Sequence, residues 1–349
     1  MLIQLTLTPL IPIRYEVDGT IRIHVTDGGF QDTGDAIVEH INKYYGNPDF
    51  IDAIVVTHPD QDHAGGLRKL FEAYDVGELW MLRPWLYAEE LIDRFSRFTS
   101  VENLAKRLKE IYPNIAALEE LAEENSVPIY EPFQGAVVDE FTVLAPSKTR
   151  YLDLVVESEK TPESAQEEQQ QKTLTEGAAG FVSKVVKFLR VAWGDEVFPD
   201  DDTSPENNMS VVQYANLCGN KILLTGDAGR SALNEAADYA PTIGLNLPGI
   251  DRIQVPHHGS RHNVSTEVLD RWLGERLATR PEKGTFSAIV SASKEDEDHP
   301  RRSVVRAFYH RGARVITTEG GDKQTGHNAP EREGWVTAEP VPYPEDQEE

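Results

Sequence analysis

The sequence predicts a mixed α/β protein, and three observations carry that prediction. Apolar, β-branched runs alternate with amphipathic stretches at both ends of the chain. Several of those runs stop abruptly at glycine, aspartate or histidine. The 349 residues, 39% of them hydrophobic, are enough to bury a large core.

The elements follow in order. "MLIQLTLTPLIPIRYEV" alternates like a strand and lacks the basic leader of a signal peptide. "GTIRIHVTDGG" is a second alternating strand, and "GDAIVEHINKYYG" an amphipathic helix stopping at Gly46. "FIDAIVVTH" reads as a buried strand and "GGLRKLFEAYDV" as the helix after it. Apolar residues recur every three or four positions between 86 and 128, which predicts a helical insertion spanning 86–135. Residues 157–180 are polar and low in complexity, so a flexible loop is expected there. "KVVKFLRVAWG", 184–194, is expected to be a short amphipathic helix. "MSVVQYANLCGNKILLTGDAG" reads as two strands joined by a Gly-Asn turn, the second ending at Asp227. "IDRIQVPHHGS" and "FSAIVSASKEDEDHP" are strands opening into His257, His258 and His299, followed by a helix in "RRSVVRAFYHRG" and a strand in "ARVITTEGG". The acidic end, 340–349, is expected to be a solvated tail, and 1–349 to be one domain.

Composition narrows the function. The chain has 59 acidic and 34 basic residues, a net charge of −25, which disfavours tight non-specific binding of nucleic acid. A single cysteine, Cys218, excludes an intrachain disulfide and any cysteine-rich zinc site, and points to a cytoplasmic location. No apolar run has the length of a membrane span, so no membrane partner is expected.

The chemistry concentrates at strand ends. His58, Asp60, Asp62 and His63 fall within six consecutive residues behind "FIDAIVV". A polar turn would explain one such cluster, but Asp227, His257, His258 and His299 repeat the residue types at three further strand ends. Two divalent ions held close together need about seven or eight donors, including a carboxylate shared between them. In extended chain His58 and Asp60 point the same way and can address one ion together. A turn at Gln61 redirects Asp62 and His63 toward a second. Ala64, Gly65 and Gly66 leave room for close backbone approach. His24, His40, His262, His310 and His327 have no such company and are read as structural.

"THPDQDHAGG", "ILLTGDA", "VPHHGS" and "DHP" occur in the order and contexts of the metallo-β-lactamase-fold hydrolases, and the chain most resembles the competence-protein ComEC/Rec2 branch. That branch, like the phosphorylcholine esterases, carries His-x-Asp-x-Asp-His where most of the superfamily carries His-x-His-x-Asp-His. The resemblance covers 19–75 and 207–320. It implies an αββα sandwich with two metals at one edge. His58, Asp60, Asp227 and one histidine of the 257/258 pair would hold the first ion. Asp62, His63, Asp227 and His299 would hold the second, with Asp227 as bridge. His258 is the favoured ligand and His257 a group that contacts substrate or supports a ligand. Asp62, Asp227 and His257 are the residues assigned to catalysis. Asp27, in "TDGG", matches an acidic position that supports the ligand loop.

Two departures stand out. The superfamily histidine expected before the strand leading to Asp227 is absent; "ENNMS" stands there, so Asn207 and Asn208 become candidate supporting donors. The glycine-rich stretch with an aspartate that normally precedes "TDGG" in this branch is also missing. Asp60 in place of a histidine adds a negative oxygen donor, compatible with zinc or manganese.

The expected activity is metal-dependent hydrolysis by a water held between the ions. The leading substrate is an anionic phosphoester, either nucleic acid or a small nucleotide or phosphoester, cut by a phosphodiesterase or nuclease. Arg261, Arg301 and Arg302 lie close to ligands in sequence and are candidate anion contacts. Lactone or thioester hydrolysis uses the same centre, and a non-catalytic metal-stabilised binding or sensing module is the alternative of a different class. A homodimer is compatible with the sequence, which sets no oligomeric state.

Overall fold

The computed structural model describes residues 3–7, 11–161, 187–292, 298–318, 323–333 and 335–348. Strands β1 (Ile3–Leu7), β2 (Ile11–Val17), β3 (Thr20–Thr26), β4 (Phe50–Val55), β5 (Asp75–Trp80) and β6 (Ile129–Tyr130) lie in the first half. They are followed by β7 (Val137–Val138), β8 (Phe141–Ala145), β9 (Phe188–Arg190), β10 (Val212–Leu217), β11 (Asn220–Leu224) and β12 (Arg252–Gln254). Last come β13 (Phe286–Val290), β14 (Ala313–Thr317), β15 (Lys323–His327) and β16 (Asp346–Glu348).

One seven-stranded sheet has the order β15-β1-β2-β3-β4-β5-β6 and the other β14-β13-β12-β11-β10-β8-β7. Each changes from antiparallel hairpins to parallel pairing part-way, at β3/β4 in the first and β11/β12 in the second. Parallel strands need crossovers, and helices supply them. Ile11, Ile13 and Tyr15 of β2 meet Phe141, Ala215, Leu217, Ile222 and Leu224 of the other sheet in a core between the two. Helices Gly34–Tyr44, Arg68–Ala73, Val101–Ile111 and Pro113–Glu124 pack on the first sheet. Helices Arg230–Tyr239, Thr266–Leu273 and Arg302–His310 pack on the second. The layers are therefore helix, sheet, sheet, helix, as the resemblance implies.

Three local expectations are corrected. Within 184–194, residues 188–190 form β9, paired with β16, and not a helix; the expected loop from 162 on lies outside the described residues. The acidic end is not a solvated tail. Gln347 and Glu348 are buried, and the Glu348 carboxylate accepts the backbone N–H groups of Arg302 (2.8 Å) and Ser303 (3.0 Å). An anion at a helix N-terminus satisfies donors that the helix leaves open. The β10–β11 turn is centred on Cys218 and Gly219, one residue earlier than expected, because both take positive φ (52° and 73°) as a type I′ turn requires. No helix among the described residues is long and apolar enough to cross a membrane.

Candidate metal centre

The site forms where strands run out at their carboxyl ends. β3 ends in Asp27, β4 in the stretch 56–63, β11 in Asp227, and β12 in His257 and His258. Parallel strands bring these ends to one edge of both sheets. Several of the delivering residues adopt left-handed backbone: Asp27 (φ 61°), Gly226 (51°), His257 (46°) and His258 (55°). Such conformations cost roughly 1–3 kcal/mol apiece for residues with side chains and persist only when their surroundings hold them. Here the His257 N–H donates to Gly226 O (3.3 Å) and the Ser260 N–H to His257 O (2.9 Å). A Cβ on Gly226 would stand 2.9 Å from the Thr57 side chain, so glycine at that position also lets the two ligand loops touch.

Asp27 ties the first loop together. Its Oδ1 accepts the Thr57 N–H (2.8 Å), and its Oδ2 accepts the Thr57 hydroxyl (2.7 Å) and His63 Nδ1 (2.7 Å). Gly28 N donates to His63 O (2.6 Å) and Gly66 N to Gly29 O (2.9 Å), a contact possible only because side chains are missing there. A Cβ on Gly66 would fall 2.0 Å from Gly28 O.

All four clustered histidines share one orientation. Nδ1 of His58 meets Thr57 Oγ1 (3.0 Å), and that of His63 meets Asp27. Nδ1 of His257 meets Asn263 Oδ1 (3.1 Å), and that of His258 meets the Ser291 carbonyl (2.8 Å). With Nδ1 donating to these acceptors, Nε2 keeps its lone pair and faces the carboxylates. Nε2 of His58 and of His63 is buried with no hydrogen-bond partner. Buried polar atoms are costly to leave unsatisfied, and a metal ion is the partner that bare imidazole nitrogens beside carboxylates suit.

The carboxylates complete two groups. Asp227 Oδ1 lies 3.4 Å from His63 Nε2, while its Oδ2 lies 3.9 Å from His58 Nε2 and 3.6 Å from His257 Nε2. Asp60 Oδ2 is 4.0 Å from His58 Nε2. Asp62 Oδ2 is 3.6 Å from His63 Nε2 and 3.8 Å from His258 Nε2. Ligand atoms of His58, His63 and Asp227, and those of Asp62, His63 and His258, converge within 4.8 Å. The floor of the site is buried, whereas the side chains of Asp60, Asp62, His257 and His258 are each about a third exposed and form its mouth.

This grouping differs from the expected one. His258 sits with Asp62 and His63 on the second side, and His257 takes the place beside His58 and Asp227 that was assigned to His258. His299 stacks on His257, ring centroids 6.3 Å apart, and is not in either convergent group. The reason is the pair of left-handed residues, which splays adjacent histidines to opposite sides of Asp227. Asn207 reaches His257 Nδ1 (3.1 Å), but Asn208 instead accepts Ser231 and Ala232 at the start of helix Arg230–Tyr239. Arg302 pairs with Asp346 and covers Phe188, which places it with β9 and β16 and not with the site; Arg301 pairs with Asp298 (3.0 Å).

Electrostatics point to a cation between the groups. Burial would lower His63, but Asp227 and Asp27 outweigh it and raise its pKa well above the ordinary value. Burial and the neighbouring His63 push His58 down. Burial would raise Asp62, yet His258 and His63 bring it to about 2, and Asp227 is driven lower still by His63 and His58. Between Asp227 and His63 a positive charge is favoured, which either a proton or a metal ion supplies.

Residues 24–132, which contain Asp27 and the whole His58–His63 run, match the family model described as metallo-beta-lactamase superfamily. The fold is that of the metallo-beta-lactamases. The match continues beyond residue 75 through the helical stretch that the resemblance left out. ComE operon protein 3 of Bacillus subtilis (strain 168) is 26% identical over 119 residues, which is 34% of this chain and only 13% of that protein. The solved structures that resemble the chain include a CmlA beta-hydroxylase E377D mutant (TM-score 0.41, 11% identity, 93% of this chain and 53% of that one). A putative metallo-beta-lactamase of Thermotoga maritima is also similar (TM-score 0.28, 11% identity, 68% and 76%). The family match over residues 24–132 and the two convergent groups of histidine and aspartate together give a metallo-beta-lactamase fold with residues that could hold metal.

Proposed function

We propose that the protein is a two-metal hydrolase of phosphodiesters. The observation that carries this reading is the division of Asp227: one oxygen faces His63, the other His58 and His257. A carboxylate with histidines on both sides is built to be shared. His58, Asp60, His257 and Asp227 would hold one ion, and Asp62, His63, His258 and Asp227 the other, with His299 at the mouth beside His257. When bound, a pair of divalent ions, zinc or manganese, supplies Lewis acidity and activates water near neutral pH.

The chain's own residues do the rest. Asp27 and Asn263 keep His63 and His257 in the tautomer that presents Nε2 inward. The Asp227 backbone is held at both ends, its N–H by Ser210 Oγ (3.1 Å) and its carbonyl by Asn263 Nδ2 (2.7 Å), so its two oxygens keep their separate directions. The open mouth at Asp60, Asp62, His257 and His258 is where a substrate enters. The resemblance of the ligand motifs to the ComEC/Rec2 branch supports a phosphodiester, from nucleic acid or a small nucleotide; we place the reaction in the cytoplasm.

The test is turnover of bis(p-nitrophenyl) phosphate by protein stripped with chelator and refilled with Mn²⁺ or Zn²⁺. Metal-dependent hydrolysis that disappears in Asp227→Asn is expected. Two bound ions without turnover would instead direct the search to carbonyl esters and lactones.

A further inference from the structure

Lys160 is a cation seated on the mouth of the centre. Its Nζ lies 2.5 Å from Asp60 Oδ1, across 100 residues of sequence, and leaves Oδ2 of the same carboxylate turned toward His58. Its side chain is 45% exposed, so the ammonium borders solvent on the side of the site where His58, Asp60 and His257 gather.

An exposed lysine on a surface turn is usually free to swing, but this turn is fastened. The Lys160 N–H donates to Ser158 Oγ (3.1 Å), and the Ser158 hydroxyl in turn bonds to the carboxylate of Glu206, which is buried. On the other side the Thr161 hydroxyl bonds to the carbonyls of Val155 (2.6 Å) and Ser158 (2.8 Å). Glu206 belongs to the same short helix, Pro205–Asn208, as Asn207, whose amide meets His257 Nδ1. The anchor of Lys160 and the Asn207 side chain that touches His257 therefore share one element, which places the Lys160 backbone on the first-ion side.

An ammonium carries three donors, and the bond to Asp60 uses one. The chain as a whole, with a net charge of −25, repels an anion from the site until a local positive charge outweighs that field. We propose that Lys160 donates to an anionic oxygen of the substrate, making it the residue that selects anionic esters over neutral ones. The proposal rests on the two-metal phosphodiester reading for the identity of the substrate, but not for the existence of the anion contact.

Inorganic phosphate is the probe, titrated calorimetrically into Mn²⁺-loaded full-length protein, with Mn²⁺ content measured on the same samples. Loss of a charge-assisted hydrogen bond predicts that Lys160→Ala binds phosphate roughly tenfold more weakly, that Lys160→Arg recovers most of the affinity, and that both retain the wild-type Mn²⁺ content. Unchanged phosphate affinity in Lys160→Ala would overturn the proposal. So would weaker binding that tracks loss of Mn²⁺, since Lys160 would then only position Asp60, and so would a wild-type protein that binds Mn²⁺ but no phosphate. Failure of the phosphodiester reading looks different: no hydrolysis of the diester, with Lys160-dependent phosphate binding intact.

Discussion

Asp27 Oδ2 and His63 Nδ1 meet at 2.7 Å, and both groups are buried. The contact fixes which nitrogen of His63 faces Asp227 and, through Thr57, fixes where His58 begins. Removing it leaves the histidine ring free to turn. Partners of this kind are typically worth 10–100-fold in metal affinity, so Asp27→Ala is expected to weaken the second ion by about that factor. A Mn²⁺ titration followed by calorimetry reads it; unchanged affinity for both ions would show that His63 is oriented by something else.

The separation of His257 from His258 makes a paired prediction. His258→Ala removes a donor from the Asp62 and His63 side, and His257→Ala one from the His58 side. Each variant is expected to retain one tightly held ion and to release the other during dialysis. Metal analysis after dialysis checks this, and identical behaviour to wild type in either variant would contradict the assignment of that histidine.

Gly66 tests the seam between the two loops. A methyl group there would overlap Gly28 O at 2.0 Å, and backbone cannot yield as a flexible side chain does. Gly66→Ala is expected to destabilise the fold by about 1–3 kcal/mol and to lower metal affinity, because the displaced loop carries Asp27. A melting curve shows the first effect and metal titration the second. A variant with the wild-type melting temperature would mean that the loops tolerate separation.

Far from the centre, Glu196 makes a prediction about pH. Its carboxylate is fully buried, bonded to His310 (2.8 Å), Arg311 (2.8 and 3.2 Å) and Thr266 (2.7 Å). Burial alone would raise its pKa, but the bonds from His310 and Arg311 bring it from 4.5 to about 2. A depressed carboxyl pKa stabilises the fold fully above the unfolded value, and the contribution fades as pH falls from 4.5 toward 2. Glu196→Gln is expected to cost about 1–3 kcal/mol near neutral pH, because Arg311 keeps Asp270 (2.6 Å) but loses the Glu196 charge. The gap in melting temperature between wild type and variant should narrow as the solution is acidified below 4.5. A gap that stays constant would place the pair's stabilisation elsewhere.

Much of the centre was legible because its residues are dense in sequence. His58 to His63 carry four ligand types in one turn, and Asp227, His257 and His258 each close an obvious strand. What could not be read was direction. Adjacent histidines look interchangeable until their backbone is seen to be left-handed, and only then do they part to either side of Asp227. The supports were hidden for a different reason: Ser210 lies 152 residues from His58, and Asn263 lies 36 from Asp227, so no local pattern joins them. Lys160 was hidden in the same way, at the edge of a stretch whose composition reads as plain loop. The acidic end misled because charge usually implies solvation, whereas Glu348 spends its charge on a helix N-terminus.

The shared role of Asp227 is the central claim, and metal stoichiometry tests it most directly. Chelator-stripped wild type and Asp227→Asn would be titrated with Mn²⁺ and the bound ions counted per chain by calorimetry and elemental analysis. Two ions in the wild type and at most one weakly held ion in the variant is the predicted result. Two tightly held ions in Asp227→Asn, or a wild type that never takes up a second, would contradict a centre organised around that carboxylate.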